Sequence, residues 1–71
     1  MEPIIRPPAY RHGLTAEQIL HAFRNPIAAF DQKDEMTMLI GGDHTGALLE
    51  IDSTEGPVII HAMKARDKYL R

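Results

Sequence analysis

The chain has 71 residues, a formal net charge of −2 at pH 7 and a hydrophobic content of 44%. This length predicts a single domain over residues 1–71, and the hydrophobic content excludes an intrinsically disordered chain. The sequence contains no cysteine, which excludes disulfides and metal–thiolate sites and favours a reducing, cytoplasmic location.

The N-terminal residues contain no apolar stretch of the length that a signal peptide requires, and no run approaches the length of a membrane-spanning helix. We therefore expect a soluble protein without a membrane partner. Residues 1–10 contain three prolines, which disfavour helix at and before their own positions, and are predicted to form an extended arm.

The first predicted helix begins after Thr15. Thr15 is a suitable N-cap, and Gln18 stands three residues later, where it completes a capping box. The apolar side chains that follow recur at helical spacing, at Ile19, Leu20 and Phe23. Asn25 and Pro26 are predicted to end the helix.

Short apolar segments separated by turn residues fill the middle of the sequence. They predict strands at residues 36–40, 47–51 and 57–61, with a further brief strand or extended segment at residues 27–30. The connections are too short for helical crossovers, so the sheet should be an antiparallel meander of three or four strands. Residues 62–70 lack β-branched side chains and predict a short basic helix. The fold class expected is α+β.

Charge is distributed unevenly along the sequence. Residues 31–55 carry seven acidic side chains against one lysine, whereas residues 56–71 carry four basic side chains against one aspartate. Such asymmetry is typical of a protein with a nucleic-acid or acidic partner at its basic end, although a solvated helix face is the simpler explanation.

The basic C-terminal segment is the first candidate site. Phosphodiester chemistry needs fixed positive charge near the phosphate, and RNA binding uses aromatic side chains for base stacking. The segment offers both, in Lys64, Arg66, Lys68, Tyr69 and Arg71. The alternative for Tyr69 is that it belongs to an apolar stripe packed against the core.

Histidines are the other titratable candidates near neutral pH. The sequence has four, His12, His21, His44 and His61, and their spacing matches no metal-binding motif. We therefore predict no metal and no cofactor. His61 ends a predicted buried strand, where a structural histidine is the simpler interpretation. His12 precedes the first helix, next to Arg11, and could face the same groove as His61.

The order of several short segments resembles the BrnT-type toxins, which belong to the RelE-like ribonucleases of bacterial toxin–antitoxin pairs. The similarity covers about residues 11–71. It rests on Arg11-His12-Gly13-Leu14-Thr15 before the helix, Asn25-Pro26 after it, Leu39-Ile40-Gly41, Gly46-Ala47-Leu48-Leu49-Glu50-Ile51, and Ile59-Ile60-His61-Ala62-Met63-Lys64-Ala65-Arg66. Two departures lie at the N-terminus, where a proline-rich arm replaces the first helix of the family and Arg11 replaces a lysine.

This resemblance implies the toxin of a toxin–antitoxin pair, a metal-independent endoribonuclease that inhibits translation by cleaving mRNA, either free or on the ribosome. Lys64 and Arg66 would stabilise the phosphate charge, while His12, His61 or Glu50 would move protons. RNA-binding residues would be Arg11, Lys68, Tyr69 and Arg71. A cognate antitoxin would cover the groove, in a homo- or hetero-oligomer. The alternative is a non-catalytic protein-binding module or an inactive relative with the same fold.

Overall fold

The computed structural model describes residues 2–70, which form one helix and a five-stranded sheet. In chain order the elements are β1 (Ile4–Ile5), a 3-10 turn (Pro7–Tyr10), α1 (Ala16–Arg24), β2 (Pro26–Asp31), β3 (Thr37–Gly42), β4 (Leu48–Thr54), β5 (Val58–Lys64) and a second 3-10 turn (Asp67–Tyr69). The strand order is β1-β5-β4-β3-β2. The predicted α+β class, with one helix and a sheet, is confirmed. None of the helices described is both long and apolar enough to cross a membrane.

The predicted sheet needs a correction, because it has five strands rather than three or four and one pair is parallel. Strands β2 to β5 pair antiparallel in sequence order, whereas β1 pairs parallel with β5. The amide of Ile4 donates to the carbonyl of Pro57 at 3.1 Å, and the amide of Arg6 donates to Ile59 at 2.9 Å. The proline-rich arm thus satisfies the outer edge of β5. This pairing joins residues more than 50 positions apart, so local pattern does not reveal it.

The predicted C-terminal helix over residues 62–70 is wrong. Strand β5 continues through Lys64, the amide of Ala65 donates to the carbonyl of Leu48 at 3.0 Å, and only a three-residue 3-10 turn follows. Helix propensities differ by less than about 1 kcal/mol per residue. Leaving the edge of β4 unpaired would cost more, because several backbone N–H and C=O groups would lack hydrogen-bond partners. Ala62 is also fully buried against the core. Tertiary pairing therefore overrides the local preference.

The N-terminus of α1 forms as its sequence predicts. The Thr15 hydroxyl accepts a hydrogen bond from the backbone amide of Gln18 at 3.1 Å. In return, the side-chain oxygen of Gln18 accepts a hydrogen bond from the backbone amide of Thr15 at 2.9 Å. At the other end, the Asn25 side chain donates to the carbonyl of His21 at 2.8 Å. A Cβ at Gly41 would lie 2.1 Å from the carbonyl oxygen of Ala22, so only glycine lets β3 approach the end of α1 this closely.

The sheet has two faces of different composition. On the helix face, α1 packs over a continuous apolar core comprising Ala9, Ile19, Ala22, Leu49, Ile51, Ile59 and Ala62. Strand alternation places the neighbouring residues of β4, Glu50 and Asp52, on the opposite face, which we call the site face. Instead of a helix, residues 65–70 lie across the site face. We call this segment the C-terminal strap.

Candidate functional site

A buried carboxylate, that of Glu50, binds the C-terminal strap to the site face. Glu50 is 2% exposed and accepts three hydrogen bonds from Arg66. Its Oε2 receives the Arg66 backbone amide at 3.0 Å and Nε at 3.1 Å, and its Oε1 receives Nη2 at 2.8 Å. This bidentate geometry is the strongest form of the arginine–carboxylate pair. Half of the Arg66 side chain remains exposed.

The pair also determines the charge state of both groups. Burial by itself raises the pKa of Glu50, but the hydrogen bonds from the Arg66 side chain and backbone outweigh it, so the pKa is lowered below its ordinary value. The hydrogen bond to Glu50 raises the pKa of Arg66. Glu50 is therefore an ionised carboxylate at neutral pH and holds no proton to donate.

Two histidines meet at the edge of the site face. The rings of His12 and His61 are 5.2 Å apart, centroid to centroid, in an edge-on arrangement. The Nδ1 atom of His61 lies 3.4 Å from Oδ2 of Asp52, which stands directly across the β4–β5 ladder. This Nδ1 is buried and has no hydrogen-bond partner within residues 2–70. Burial raises the pKa of Asp52, and the nearby His61 charge opposes that effect.

Aromatic and cationic side chains of the strap extend the site towards β2. The Tyr69 ring lies 5.7 Å from the ring of Phe30, and both Arg66 and Lys68 approach it, at 5.3 and 5.0 Å from its centroid. Cations at this distance from an aromatic ring are attracted to its face. Tyr69 is half-buried, whereas Lys68 is exposed. The structure thus combines both interpretations of Tyr69, since it packs on the sheet and keeps part of its surface open.

The structure brings together most, but not all, of the residues chosen from the sequence. His12, Glu50, His61, Arg66, Lys68 and Tyr69 lie in this one region. Lys64 does not, because it stands opposite Leu49 and so projects from the helix face. Arg11 is exposed beside His12 at the end of the first 3-10 turn, and within residues 2–70 its side chain makes no hydrogen bond or ion pair with the site. Arg71 lies outside the described residues.

Two residues of the site were missed in the sequence, Asp52 and Phe30. The predicted strand ended at Ile51, which left Asp52 in a turn. Continuing the alternation by one step would have placed Asp52 on the same face as Glu50. Phe30 belongs to the site because Tyr69 of the strap packs against it, and no local sequence pattern indicates this contact between β2 and the strap.

Other acidic side chains lie away from this site. An open cleft of about 360 Å³ lies between the β2–β3 and β4–β5 turns, and Glu35 and Glu55 are among its lining residues. Its carboxylates would repel a phosphate backbone. Within the part of the chain that is described, no group of three or more histidine, cysteine, aspartate or glutamate residues is arranged to hold a metal ion.

Comparison with known proteins finds no matching family model, no matching curated protein and no matching solved structure. The resemblance to the BrnT-type toxins therefore stays a prediction from the sequence. Any function for the chain has to be argued from the site itself.

Proposed function

We propose that this chain is the toxin of a bacterial toxin–antitoxin pair, a metal-independent endoribonuclease that inhibits translation by cleaving RNA. The observation that carries the proposal is the pair of imidazoles, His12 and His61, 5.2 Å apart at the surface of the site face. Cleavage of RNA without a metal needs one proton acceptor for the attacking 2′-hydroxyl and one proton donor for the leaving 5′-oxygen, and histidine serves in both roles near pH 7.

His61 is the candidate base. Nδ1 of His61 lies 3.4 Å from the carboxylate of Asp52 without a formed hydrogen bond. Attraction to that carboxylate would favour the tautomer with its proton on Nδ1, which would leave Nε2 as the acceptor. His61 would take the proton of a ribose 2′-hydroxyl, whose oxygen would then form a bond to the adjacent phosphorus.

His12 is the candidate acid. It is exposed, so it is accessible to substrate. As the imidazolium it would donate its proton to the leaving 5′-oxygen when the bond between phosphorus and that oxygen breaks. The products would be a 2′,3′-cyclic phosphate and a free 5′-hydroxyl. The pair would supply a factor of about 10²–10⁴ in rate for each proton transfer.

Arg66, Lys68 and Tyr69 would bind the RNA next to the two histidines. The exposed half of Arg66 and the exposed Lys68 offer positive charge to the phosphate, and Tyr69 offers a surface for base stacking. A cognate antitoxin whose acidic or amphipathic segment covers His61, Arg66 and Tyr69 would neutralise this charge and block RNA.

The test uses His12→Ala, because His12 is exposed and its removal leaves the buried pair of Glu50 and Arg66 intact. His44→Ala is the matched control, since His44 also belongs to an edge-on histidine pair, with His21 at 6.4 Å, on another part of the surface. We expect the wild-type chain and His44→Ala to slow bacterial growth and to cleave RNA in EDTA. His12→Ala should lose at least about 100-fold of the cleavage rate.

Full cleavage by His12→Ala would remove the histidine pair from the mechanism, and loss of cleavage in EDTA would overturn metal independence. Co-expression of the neighbouring reading frame should restore growth if its product is the antitoxin. Wild-type protein that neither cleaves RNA nor slows growth would overturn the enzyme proposal.

A second candidate function, a non-catalytic binding module of the same fold, has one observation in its favour. Glu50 already neutralises Arg66, and the three hydrogen bonds between them help to hold the C-terminal strap on the sheet, together with the backbone hydrogen bond from Ala65 to Leu48. On this alternative the site face is a protein-binding surface. A wild-type chain that binds a protein partner through this face but cleaves no RNA would favour it.

A further inference from the structure

Strand β2 forms an open edge of the sheet. It pairs with β3 on one side and is last in the strand order. Its residues 26–30 are uncharged, and its exposed apolar side chains include Ile27, at 68%, and Phe30, at 38%. Soluble proteins normally protect such an edge with a central lysine, an inward charge or a covering element. Residues 27–30 carry no such charge, whereas β1, at the other edge, has only two residues.

The backbone of β2 has groups available for a further strand. The amide of Gln32 donates to the carbonyl of Met36 at 2.7 Å, so this pair is a hydrogen-bonded one. Hydrogen-bonded and non-bonded pairs alternate along an antiparallel ladder, which directs the amide and carbonyl of Ala29 and of Asp31 away from β3. Within residues 2–70 no other strand pairs with these groups.

We propose that this edge binds a second copy of the chain, with β2 antiparallel to β2 of the copy about Ala29. Charge supports this occupant and this direction. The β2 C-terminus leads into the acidic residues Asp31, Asp34 and Glu35, and the N-terminus follows Arg24, which contacts Glu2 but keeps about half its side chain exposed. Antiparallel pairing places the acidic end of one copy beside the Arg24 end of the other, whereas parallel pairing would set acidic ends together.

The side chains also fit this arrangement. Pairing centred on Ala29 sets Phe30 of one copy across from Ala28 of the other, so that a large side chain meets a small one on the same face. The two-fold axis would run perpendicular to the sheet, which keeps the two site faces on the same side of a ten-stranded sheet. A chain of 71 residues without disulfides also gains stability from any partner that binds only its folded state.

A cysteine at the proposed axis tests this arrangement, since the chain contains no cysteine of its own. In Ala29→Cys, the two Cα atoms would lie about 5.5 Å apart across a hydrogen-bonded pair, within the range that a disulfide spans. The matched control is Ile27→Cys, where the copies would lie about 14 Å apart. We expect mild oxidation to give a covalent dimer of Ala29→Cys in at least about tenfold excess over Ile27→Cys. Equal cross-linking of the two variants would overturn the proposed axis.

A second measurement does not depend on cysteine geometry. Sedimentation of the wild-type chain should show a dimer that dissociates on dilution. Ile27→Glu should raise the dissociation constant at least about tenfold, because the new carboxylate would lie across from Asp31 of the other copy and like charges directly opposite destabilise a strand pair. Ile4→Glu makes the same change at an isoleucine that is 60% exposed on the opposite edge, and should leave the dissociation constant unchanged. A chain that stays monomeric up to millimolar concentration would overturn the proposal. The open edge of β2 would then be available to a strand from a different protein. The nuclease assay is independent of this outcome.

Discussion

The two faces of the sheet are both buried, but by different means. On the helix face, α1 covers a continuous apolar core that includes Ile19 and Ile51. On the site face, Met38 and Ile40 are as deeply buried, yet their cover includes a short strap whose anchor is an ion pair between Glu50 and Arg66. One face depends on area removed from water, and the other on the direction of a few hydrogen bonds.

This difference explains where charged and titratable side chains lie close together in the molecule. An apolar core gives no titratable group, and it accepts many side chains of similar volume. A thin cover held by charged groups leaves Arg66 and Tyr69 partly exposed beside His61, and burial changes the proton affinity of neighbouring carboxyls. The site face is therefore stable enough to hold its residues in place and open enough to reach a ligand.

On the site face, the largest loss of stability is expected from Arg66→Ala, which leaves the buried carboxylate of Glu50 without its partner. Loss of a partner in a fully buried pair costs about 3–5 kcal/mol, and the half-exposed guanidinium reduces this to about 2–3 kcal/mol. We expect that loss in the free energy of unfolding, measured by urea denaturation. Replacing Glu50 as well, in Glu50→Met with Arg66→Ala, should restore stability to within about 1 kcal/mol of wild type.

The matched control on the helix face is Ile51→Ala, which should cost about 3–4 kcal/mol through lost burial and the cavity it leaves. Replacing a neighbour such as Ile59 in addition should increase the cost. If the double variant on the site face were no more stable than Arg66→Ala, the ion pair would not be what distinguishes the two faces.

Acid is expected to weaken both faces through two different carboxyls. Hydrogen bonds, chiefly from the Thr45 side chain and also from Gln18 of α1, lower the pKa of Asp43 to about 2, and Arg66 lowers that of Glu50. Because both folded values lie below the ordinary values of 3.8 and 4.5, the stability these groups contribute is complete above pH 4.5 and is lost as pH falls towards the folded values. Burial raises the pKa of Asp52, so its protonation favours the folded state and opposes this trend.

Urea midpoints between pH 7 and pH 2 separate these contributions. Asp43→Asn should remove the part of the acid dependence that falls below pH 3.8. Arg66→Ala should reverse the contribution of Glu50 to the pH dependence of stability, because burial without a partner raises the pKa of that carboxyl. Protonation of Glu50 would then favour the folded state. Parallel acid profiles for wild type and Arg66→Ala would show that the pair does not control the titration of Glu50.

The smallest effect is expected at the β2–β3 turn, which belongs to neither face. Asp34 and Glu35 adopt φ values of 61° and 60°, and the Met36 amide donates to the Lys33 carbonyl at 3.3 Å, as in a type I′ turn. Asn-Gly is the preferred pair for this turn. Asp34→Asn with Glu35→Gly should therefore raise the free energy of unfolding by about 1 kcal/mol. The variant should leave the interaction energy between Glu50 and Arg66 unchanged. A decrease in its free energy of unfolding would show that the positive φ values of Asp34 and Glu35 do not strain this turn.

What the sequence by itself determined is local. Thr15 and Gln18 define the start of α1 because both partners of the capping box lie within one helical turn. The strands from β3 to β5 follow from apolar runs separated by turn residues, and their short connections leave antiparallel pairing as the only geometry. His12, His61 and Arg66 were found as candidates from their chemistry, without knowledge of their separation.

Only the tertiary structure decided which of these candidates meet. Residues 62–64 pair with β4 instead of forming a helix, which turns Lys64 away from the site and sets Asp52 opposite His61. Glu50, which on its own would be an exposed strand residue, is buried because Arg66, 16 positions later, supplies three hydrogen bonds to it. Local propensity amounts to a fraction of a kilocalorie per residue, and it gives way wherever a long-range partner satisfies a buried charge or an open strand edge.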